Sequence, residues 1–196
     1  MLALDVGTSS VRAQHFEPSG EPHGKLHQEA YESADPDDVF AAVHRVLHGH
    51  VPDAVSCFAH SLVAVDREWN ALTPILGWRD TRSAGAAERL GKQLDAERVH
   101  ARTGAFLHPS YWPAKLAWLA EEEPEIFRRA EWFVAFADYI RGVPETSVSM
   151  ASSSGLLDLA THDWDEELLA ALGVERDRLP QIADVPVWVD AACSNV

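Results

Sequence analysis

The pattern of apolar and polar positions at the start of the chain predicts a β-hairpin. Residues 2–7 form a mainly apolar run that ends at Gly7, and residues 11–16 alternate between apolar and polar side chains. Both patterns are typical of strands, and the polar residues 8–10 between them suit a turn. Residues 17–37 are rich in Pro, Gly, His and acidic residues, so we expect a loop and an irregular strand there.

Helical periodicity follows and then recurs along the chain. The apolar spacing predicts helices over residues 39–47, 83–99, 113–122, 124–130 and 164–172. Ser83 and Asp163 are the expected N-caps, and Gly173 is expected just after the last of these helices. Strands are predicted at 54–65, 72–78 and 156–159, and residues 132–140 form a buried strand or helix. The order of these elements predicts an α/β fold.

Composition narrows the class of protein. The chain has 196 residues and 46% hydrophobic content, which is enough for one domain with a sizeable core. It has no apolar run of about 20 residues, and Asp5 interrupts the first apolar segment, unlike a signal peptide. Two cysteines fit a reducing compartment. We therefore expect a cytoplasmic protein without a membrane partner.

The charge balance argues against a nucleic-acid partner. The formal net charge is −15, from 31 acidic and 16 basic residues, whereas nucleic-acid binding needs clustered Lys and Arg. The ten histidines show no metal-binding spacing. A small anionic substrate remains compatible with this charge, because a few local donors can dominate a site.

The turn after the first strand contains candidate chemistry. Gly7 allows close approach of a ligand to the backbone, and the N–H groups and hydroxyls of Thr8 and Ser9 are donors suited to a phosphoryl group. Asp5 could hold Mg²⁺ through water, and Arg12 could offset charge. A plain hairpin turn explains the segment equally well. The chain has neither a P-loop nor a G-x-G-x-x-G motif.

Several short motifs occur in a consistent order along almost the whole chain. The opening Asp5-x-Gly7-Thr8-Ser9-x-x-Arg12 resembles the first phosphate motif of the actin-like ATPase superfamily. Later segments are similar to those of the FGGY carbohydrate kinases, at residues 60–66, 72–82, 103–104, 138–140, 149–158 and 179–180. The run at residues 108–116 resembles the gluconate kinase branch of that family.

The resemblance implies a fold and an activity. It implies a ribonuclease H-like (actin-like ATPase) α/β domain, with a mixed sheet and flanking helices, in which residues 1–196 are the N-terminal substrate-binding domain. The activity implied is Mg²⁺- and ATP-dependent phosphorylation of a sugar or sugar acid similar to gluconate, and a homodimer is compatible with it. The family's nucleotide domain would follow residue 196, so we expect this chain alone to be inactive.

The matching segments supply candidate sugar ligands. Trp78 offers an apolar face to sugar C–H groups, Asp80 can accept hydrogen bonds from hydroxyls, and Arg82 can donate to hydroxyls or a carboxylate. His60 and Ser61 are further polar ligands at a strand end. Alternatively, Trp78 belongs to the core and Asp80 and Arg82 form a local ion pair. We expect packing or structural hydrogen bonds from Tyr111, Trp112 and Lys115.

The last residues resemble the family segment that carries the catalytic base. On this resemblance Asp190 would take the proton from the attacking hydroxyl. Val189 and Ala191 stand where the family has glycines, and a frayed C-terminal tail is the alternative. These departures leave open a second hypothesis, that the chain is a truncated or degenerate kinase half that binds sugar without catalysis.

Overall fold

The chain begins with an antiparallel hairpin in the computed structural model, which describes residues 1–183. Strand β1 (Leu2–Val6) pairs with β2 (Ser10–Phe16), and Val6 lies opposite Val11. Strand β3 (Pro22–Ala30) extends the sheet beside β2, and β4 (Ala54–Cys57) pairs in parallel with β1. The result is a mixed four-stranded sheet in the order β3-β2-β1-β4. The predicted hairpin is confirmed.

Helix α1 (Pro36–Leu47) packs on this sheet. It begins before the predicted residue 39, because the Asp35 side chain accepts a hydrogen bond from the Asp37 N–H and a proline occupies the first turn. Its apolar side joins the apolar side of the sheet in one core cluster, which includes Leu4, Val6, Val39, Ala42, Val43 and Leu47.

The predicted single strand at residues 54–65 is wrong. The chain leaves the main sheet after Cys57 and passes through His60, which has a left-handed φ of 61°. It then forms β5 (Val63–Val65), which pairs antiparallel with β6 (Trp132–Val134) in a separate two-stranded sheet. Polar residues between two apolar runs therefore mark a change of sheet and not the middle of a strand.

The strand predicted at residues 72–78 is also wrong. Only the isolated bridges Leu62–Leu76 and Val65–Ala71 occur there. Two side chains account for this. Pro74 has no N–H to give to a ladder, and the Thr73 hydroxyl accepts a hydrogen bond from the Ala64 N–H where a strand would offer a carbonyl.

The helix predicted at residues 83–99 is two helices, α2 (Ala84–Gln93) and α3 (Ala96–Thr103). The break lies at Asp95, whose carboxylate accepts from the N–H groups of Glu97 and Arg98 and caps the second helix. Ser83 does not cap α2 with its side chain. Its hydroxyl donates to the carbonyl of Pro109.

The remaining elements surround β5 and β6. They are α4 (Trp112–Glu122), α5 (Pro124–Arg129), α6 (Phe136–Arg141), β7 (Glu145–Thr146), α7 (Val148–Ser154), β8 (Leu157–Asp158), β9 (Asp163–Trp164), α8 (Glu166–Leu172), a 3₁₀ turn (Arg176–Arg178) and β10 (Gln181–Ile182). Asp165, not Asp163, caps α8 by accepting from the Leu168 N–H. None of the helices within residues 1–183 has the length and apolar character needed to cross a membrane.

Strand β5 joins the two parts of the core. Val63 and Val65 belong to the cluster under the main sheet, whereas Ala64 belongs to a second cluster formed mainly by the helices. Successive side chains of a strand point to opposite faces, so this short strand contributes to both clusters. The segments on either side of β5, residues 58–62 and 66–82, are thereby held at fixed positions relative to the first hairpin.

Candidate active site

The turn between β1 and β2 is held in place by its neighbours. The Gly7 N–H donates to the Ser10 carbonyl at 3.0 Å, and the Tyr31 N–H donates to the Ser9 carbonyl at 3.0 Å. The Tyr31 hydroxyl also donates to the Gly7 carbonyl. Thr8 and Ser9 are exposed. The turn therefore has a fixed backbone and two hydroxyl-bearing residues at the surface.

Asp5 and Arg12 face each other across the hairpin. They are opposite residues of β1 and β2, and the Arg12 guanidinium donates to the Asp5 carboxylate at 2.8 Å. The Arg12 side chain is 41% exposed and the Asp5 side chain 48%, so both remain accessible to solvent. Asp5, which was predicted to hold Mg²⁺ through water, and Arg12, which was predicted to offset charge, thus form an ion pair beside the turn.

Two adjoining cavities lie next to this turn and share Thr8, Phe58 and Trp78 in their walls. The larger cavity, of about 710 Å³, is lined by these three residues together with Ala59, His60, Phe106, Leu107, His108, Ser110 and Tyr111. The smaller, of about 330 Å³, is lined by them together with Tyr31, Glu32, Ser33, Ala34, Ile75, Gly77, Arg79 and Asp80. The structure therefore brings the predicted residues Thr8, His60, Trp78 and Asp80 to one cleft.

Asp80 and Arg82 form a bidentate pair. Nε of Arg82 lies 3.0 and 3.1 Å from the two carboxylate oxygens of Asp80. Burial acts to raise the pKa of Asp80, but the hydrogen bonds and charge of Arg82, with a smaller contribution from Lys115, outweigh it and hold the pKa below its ordinary value. The Arg82 guanidinium also lies over the Trp118 ring, 4.8 Å from its centroid, and Arg82 does not line either cavity.

His60 and Ser61 differ in their access to the cleft. The His60 ring lines the larger cavity and packs edge-on against Tyr111, with ring centroids 5.0 Å apart. Ser61 is 1% exposed, and its hydroxyl oxygen accepts a hydrogen bond from the Phe136 N–H at 3.0 Å. Ser61 therefore fixes the segment that carries His60, and its own side chain faces the interior.

A row of donors at the start of α4 fixes the walls of the cleft. The Ser110 hydroxyl donates to the Trp78 carbonyl at 3.0 Å, and the Trp112 indole donates to the Ser61 carbonyl at 2.7 Å. The Lys115 ammonium donates to the carbonyls of His60 and Leu76. Burial lowers the pKa of Lys115 to about 7, although the charge of Asp80 opposes this. The expected structural roles of Trp112 and Lys115 are confirmed.

Several residues of the cleft were not expected from the sequence. Tyr31, Glu32, Phe58, Phe106 and His108 lie in or next to loops, far in sequence from the residues that they meet. Phe106 is 67% exposed, which is unusual for a large apolar side chain. The run around His108 was noted for its resemblance to gluconate kinases, but nothing in its spacing indicated a cavity wall.

Residues 1–186 match the N-terminal domain of the FGGY family of carbohydrate kinases. The chain belongs to this family. Among curated FGGY relatives, the gluconokinase of Bacillus subtilis (strain 168) is 30% identical over 203 residues, which cover 93% of this chain and 40% of that protein. The xylulose kinase of Streptomyces rubiginosus is 32% identical over 193 residues, covering 92% of this chain and 39% of that protein.

Solved FGGY structures agree with the fold. The gluconate kinase of Lactobacillus acidophilus superposes with a TM-score of 0.83 at 26% identity, covering 93% of this chain and 42% of that one. The xylulose kinase of the same organism gives 0.84 at 26% identity, covering 93% and 41%. The predicted α/β fold of the actin-like ATPase type, with a mixed sheet and helices, is confirmed. The chain spans about 40% of the length of the curated gluconokinases that it matches.

Proposed function

We propose that this chain is the substrate-binding half of a kinase that transfers a phosphoryl group from ATP to a hydroxyl of a sugar or sugar acid similar to gluconate. One observation carries the proposal. Thr8, from the turn suited to phosphate, and Asp80, a carboxylate suited to hydroxyls, line the same cavity. A phosphoryl donor and a polyol bound at these two residues would therefore be neighbours, and phosphoryl transfer depends mainly on such positioning.

On the phosphate side Thr8 of the hairpin turn lines the cleft, and the rest of the turn and the ion pair of Asp5 and Arg12 lie next to Thr8 without lining either cavity. The N–H groups and hydroxyls of Thr8 and Ser9 donate to phosphate oxygens, and Gly7 leaves space for them to approach. Asp5 offers one accessible carboxylate, which fits a Mg²⁺ ion that keeps most of its waters and binds phosphate. When bound, the ion would neutralise charge on the phosphates. Arg12 orients Asp5 and adds a positive charge.

The sugar side consists of His60, Trp78 and Asp80. The Trp78 ring is 46% exposed and offers an apolar face to sugar C–H groups. The ionised Asp80 accepts hydrogen bonds from hydroxyls, and His60 provides a ring nitrogen. Arg82 orients Asp80 and keeps it ionised, whereas Ser61 orients the His60 segment.

The base in this proposal is Asp190, which lies outside the described residues and rests on the sequence resemblance alone. It takes the proton of the attacking hydroxyl, the sugar oxygen bonds to the γ-phosphorus, and the bond to ADP breaks. Asp190→Asn in a form of the protein that also has a nucleotide domain should leave sugar affinity almost unchanged and lower turnover by about 10²–10⁴-fold. Equal losses in both would indicate structural damage.

Calorimetry on the 196-residue chain tests the sugar site directly. Titration with D-gluconate, D-xylulose and glycerol should give saturable binding of at least one, and Asp80→Asn should weaken it by about tenfold or more. Asp163→Asn is the matched control, because Asp163 forms an exposed ion pair with Arg176. ADP release that depends on sugar is expected only when a nucleotide domain follows the chain. Absence of binding to all three ligands would refute the proposal.

A non-catalytic sugar-binding module is the second candidate. Val189 and Ala191, which replace glycines of the family motif around Asp190, favour it. This candidate predicts sugar binding without ADP release even when a nucleotide domain is present. The kinase proposal places the protein in the cytoplasm, with ATP and a small polyol as ligands and with no nucleic acid or membrane as partner.

A further inference from the structure

Two imidazoles line the larger cavity, and their hydrogen-bond partners give them opposite roles. Nδ1 of His60 lies 2.6 Å from the Ser153 carbonyl oxygen, which can only accept, so this nitrogen carries a proton. Nδ1 of His108 receives a hydrogen bond from the Ser110 N–H at 3.2 Å, so this nitrogen is the acceptor. In the neutral rings, Nε2 of His60 is consequently an acceptor and Nε2 of His108 is a donor.

The His108 ring is tied to the same wall as Trp78. The Ser110 hydroxyl lies 3.1 Å from Nδ1 of His108 and 3.0 Å from the Trp78 carbonyl oxygen, and its single proton can be donated to either acceptor. One serine therefore sets the positions of both segments. His108 and Trp78 are thereby held in the wall of the same cavity.

The two cavities differ in the charges of their walls. The larger one is lined by no Asp or Glu among the described residues, and its lining includes the two imidazoles of His60 and His108. The smaller one contains both Glu32 and Asp80. Arg79 also lines the smaller cavity, but its guanidinium lies over the Trp78 ring, 4.8 Å from the centroid. An anionic group is therefore repelled less in the larger cavity, where a donor is available.

We propose that His108 is a specificity-determining residue, which binds the carboxylate of a sugar acid through Nε2–H and makes the site prefer that acid to the corresponding alditol. This inference rests on the proposed sugar-kinase function and names the end of the substrate that the larger cavity receives. The hydroxyls of the same substrate then extend past Trp78 towards Asp80. Because this hydrogen bond is made to a charged carboxylate, the affinity for the acid should exceed that for the alditol by about tenfold.

Calorimetry on the full 196-residue chain compares D-gluconate with D-glucitol, which has a CH₂OH group where gluconate has its carboxylate. The wild type should prefer gluconate. His108→Phe keeps a flat ring without nitrogen and should lower the ratio of the two affinities about tenfold. His108→Gln, whose amide N–H can replace Nε2–H, should keep part of the preference. Arg79→Gln is the control for the neighbouring cation and should leave the ratio unchanged.

The outcomes separate this inference from the function on which it rests. A ratio unchanged in His108→Phe, or lost in Arg79→Gln, overturns the role of His108. A wild type that binds both polyols equally also overturns it and leaves the sugar site standing. A wild type that binds neither polyol, nor xylulose, overturns the proposed function and this inference together. Glucitol affinity and the circular dichroism spectrum show that each variant is folded.

Discussion

The ammonium group of Lys115 donates a hydrogen bond to the main-chain carbonyl of Leu76 at 2.8 Å, inside the core. The same group also donates to the carbonyl of His60, and the Lys115 side chain is 1% exposed. One buried cation thus connects α4 to the two segments that line the cleft, those of His60 and Trp78. No carboxylate forms an ion pair with Lys115 among the described residues, so burial of its charge is only partly compensated.

The first prediction concerns stability and pH. Burial lowers the pKa of Lys115 from 10.5 to about 7, so between these values the unfolded chain holds a proton that the folded chain has released. Stability must then rise with pH across this window, by at most about 1.4 kcal/mol per pH unit. Below pH about 7, both states are protonated and the cost of burying the charge is fully present. Urea unfolding at several pH values measures this.

Lys115→Met removes the titration and leaves the His60 carbonyl without its Lys115 donor, at a cost of about 1–3 kcal/mol, whereas the Leu76 carbonyl keeps the Leu62 N–H as a donor. The stability of the wild type relative to this variant should therefore increase as pH rises from about 7 to about 10. Lys92→Met, at an exposed position of α2, is the control and should show no such trend. Parallel pH profiles for wild type and Lys115→Met would contradict the prediction.

A second prediction concerns Asp138, which is buried in α6 and whose Oδ2 has no partner among the described residues. Burial raises its pKa from 3.8 to about 7, against the opposing effects of Thr146 and Arg141. The folded chain therefore binds more protons than the unfolded chain in this window, and stability falls as pH rises through it. Asp138→Asn should be more stable than wild type above pH about 7, by about 1–3 kcal/mol.

Chemical denaturation from pH about 4 to about 8 tests the Asp138 prediction. The two proteins should approach each other in stability at the acid end, where the wild-type carboxyl is protonated in the folded state. Glu125→Gln changes an exposed carboxylate that pairs with Arg128, and its effect should be small at every pH. A stability difference between Asp138→Asn and wild type that does not change with pH would contradict a raised pKa of Asp138 in the folded chain.

Much of the fold was predictable where local pattern and tertiary structure agree. The alternation over residues 11–16 and the glycine at residue 7 predicted the hairpin correctly. The error at residues 54–65 arose because the chain changes sheets through a left-handed backbone at His60, and a single histidine is only a weak local signal for that conformation. The break at Asp95 was missed because the apolar spacing continues across it, although an Asp within a helical pattern is a possible N-cap.

The candidate site was predictable only in part. Thr8, Trp78 and Asp80 came from motifs that lie beside recognisable turns. Tyr31 and Phe106 could not be assigned to the cleft, because their positions follow from how loops of distant sequence meet. Ser61 shows the converse error. Its motif predicted a sugar ligand, but its side chain faces the interior and accepts a hydrogen bond from the Phe136 backbone.

A third prediction tests the hairpin turn. A Cβ atom at Gly7 would lie 3.1 Å from the Ser10 carbonyl oxygen, which is tighter than an ordinary contact, and this oxygen belongs to the turn backbone. Gly7→Ala should therefore displace the turn and destabilise the chain by about 1 kcal/mol. Gly91→Ala in α2 meets no atom within 4 Å and should stabilise it by about 0.5–1 kcal/mol. Thermal unfolding of both variants measures these changes in stability. Equal changes for Gly7→Ala and Gly91→Ala would contradict the close approach at Gly7.

The last prediction concerns the pair of Asp80 and Arg82. Burial alone would raise the pKa of Asp80, and Arg82 reverses that effect. Arg82→Gln removes the main opposing charge, so the carboxyl should become protonated at higher pH than in the wild type. We assume that Asp80 accepts hydrogen bonds from sugar hydroxyls only when it is ionised. As the pH is lowered, polyol affinity must then begin to fall at a higher pH in the variant than in the wild type. D-glucitol is the suitable ligand, because it does not titrate in this range.

The expected result is a pH profile of glucitol affinity that is shifted towards neutral pH in Arg82→Gln and keeps its plateau at high pH. Arg89→Gln removes a guanidinium that pairs with Glu121 on the surface, and its profile should coincide with that of the wild type. An affinity that is lost at all pH values would mean that Arg82 holds the shape of the site or contacts the ligand. Identical profiles for Arg82→Gln and wild type would show that ionisation of Asp80 does not control polyol binding.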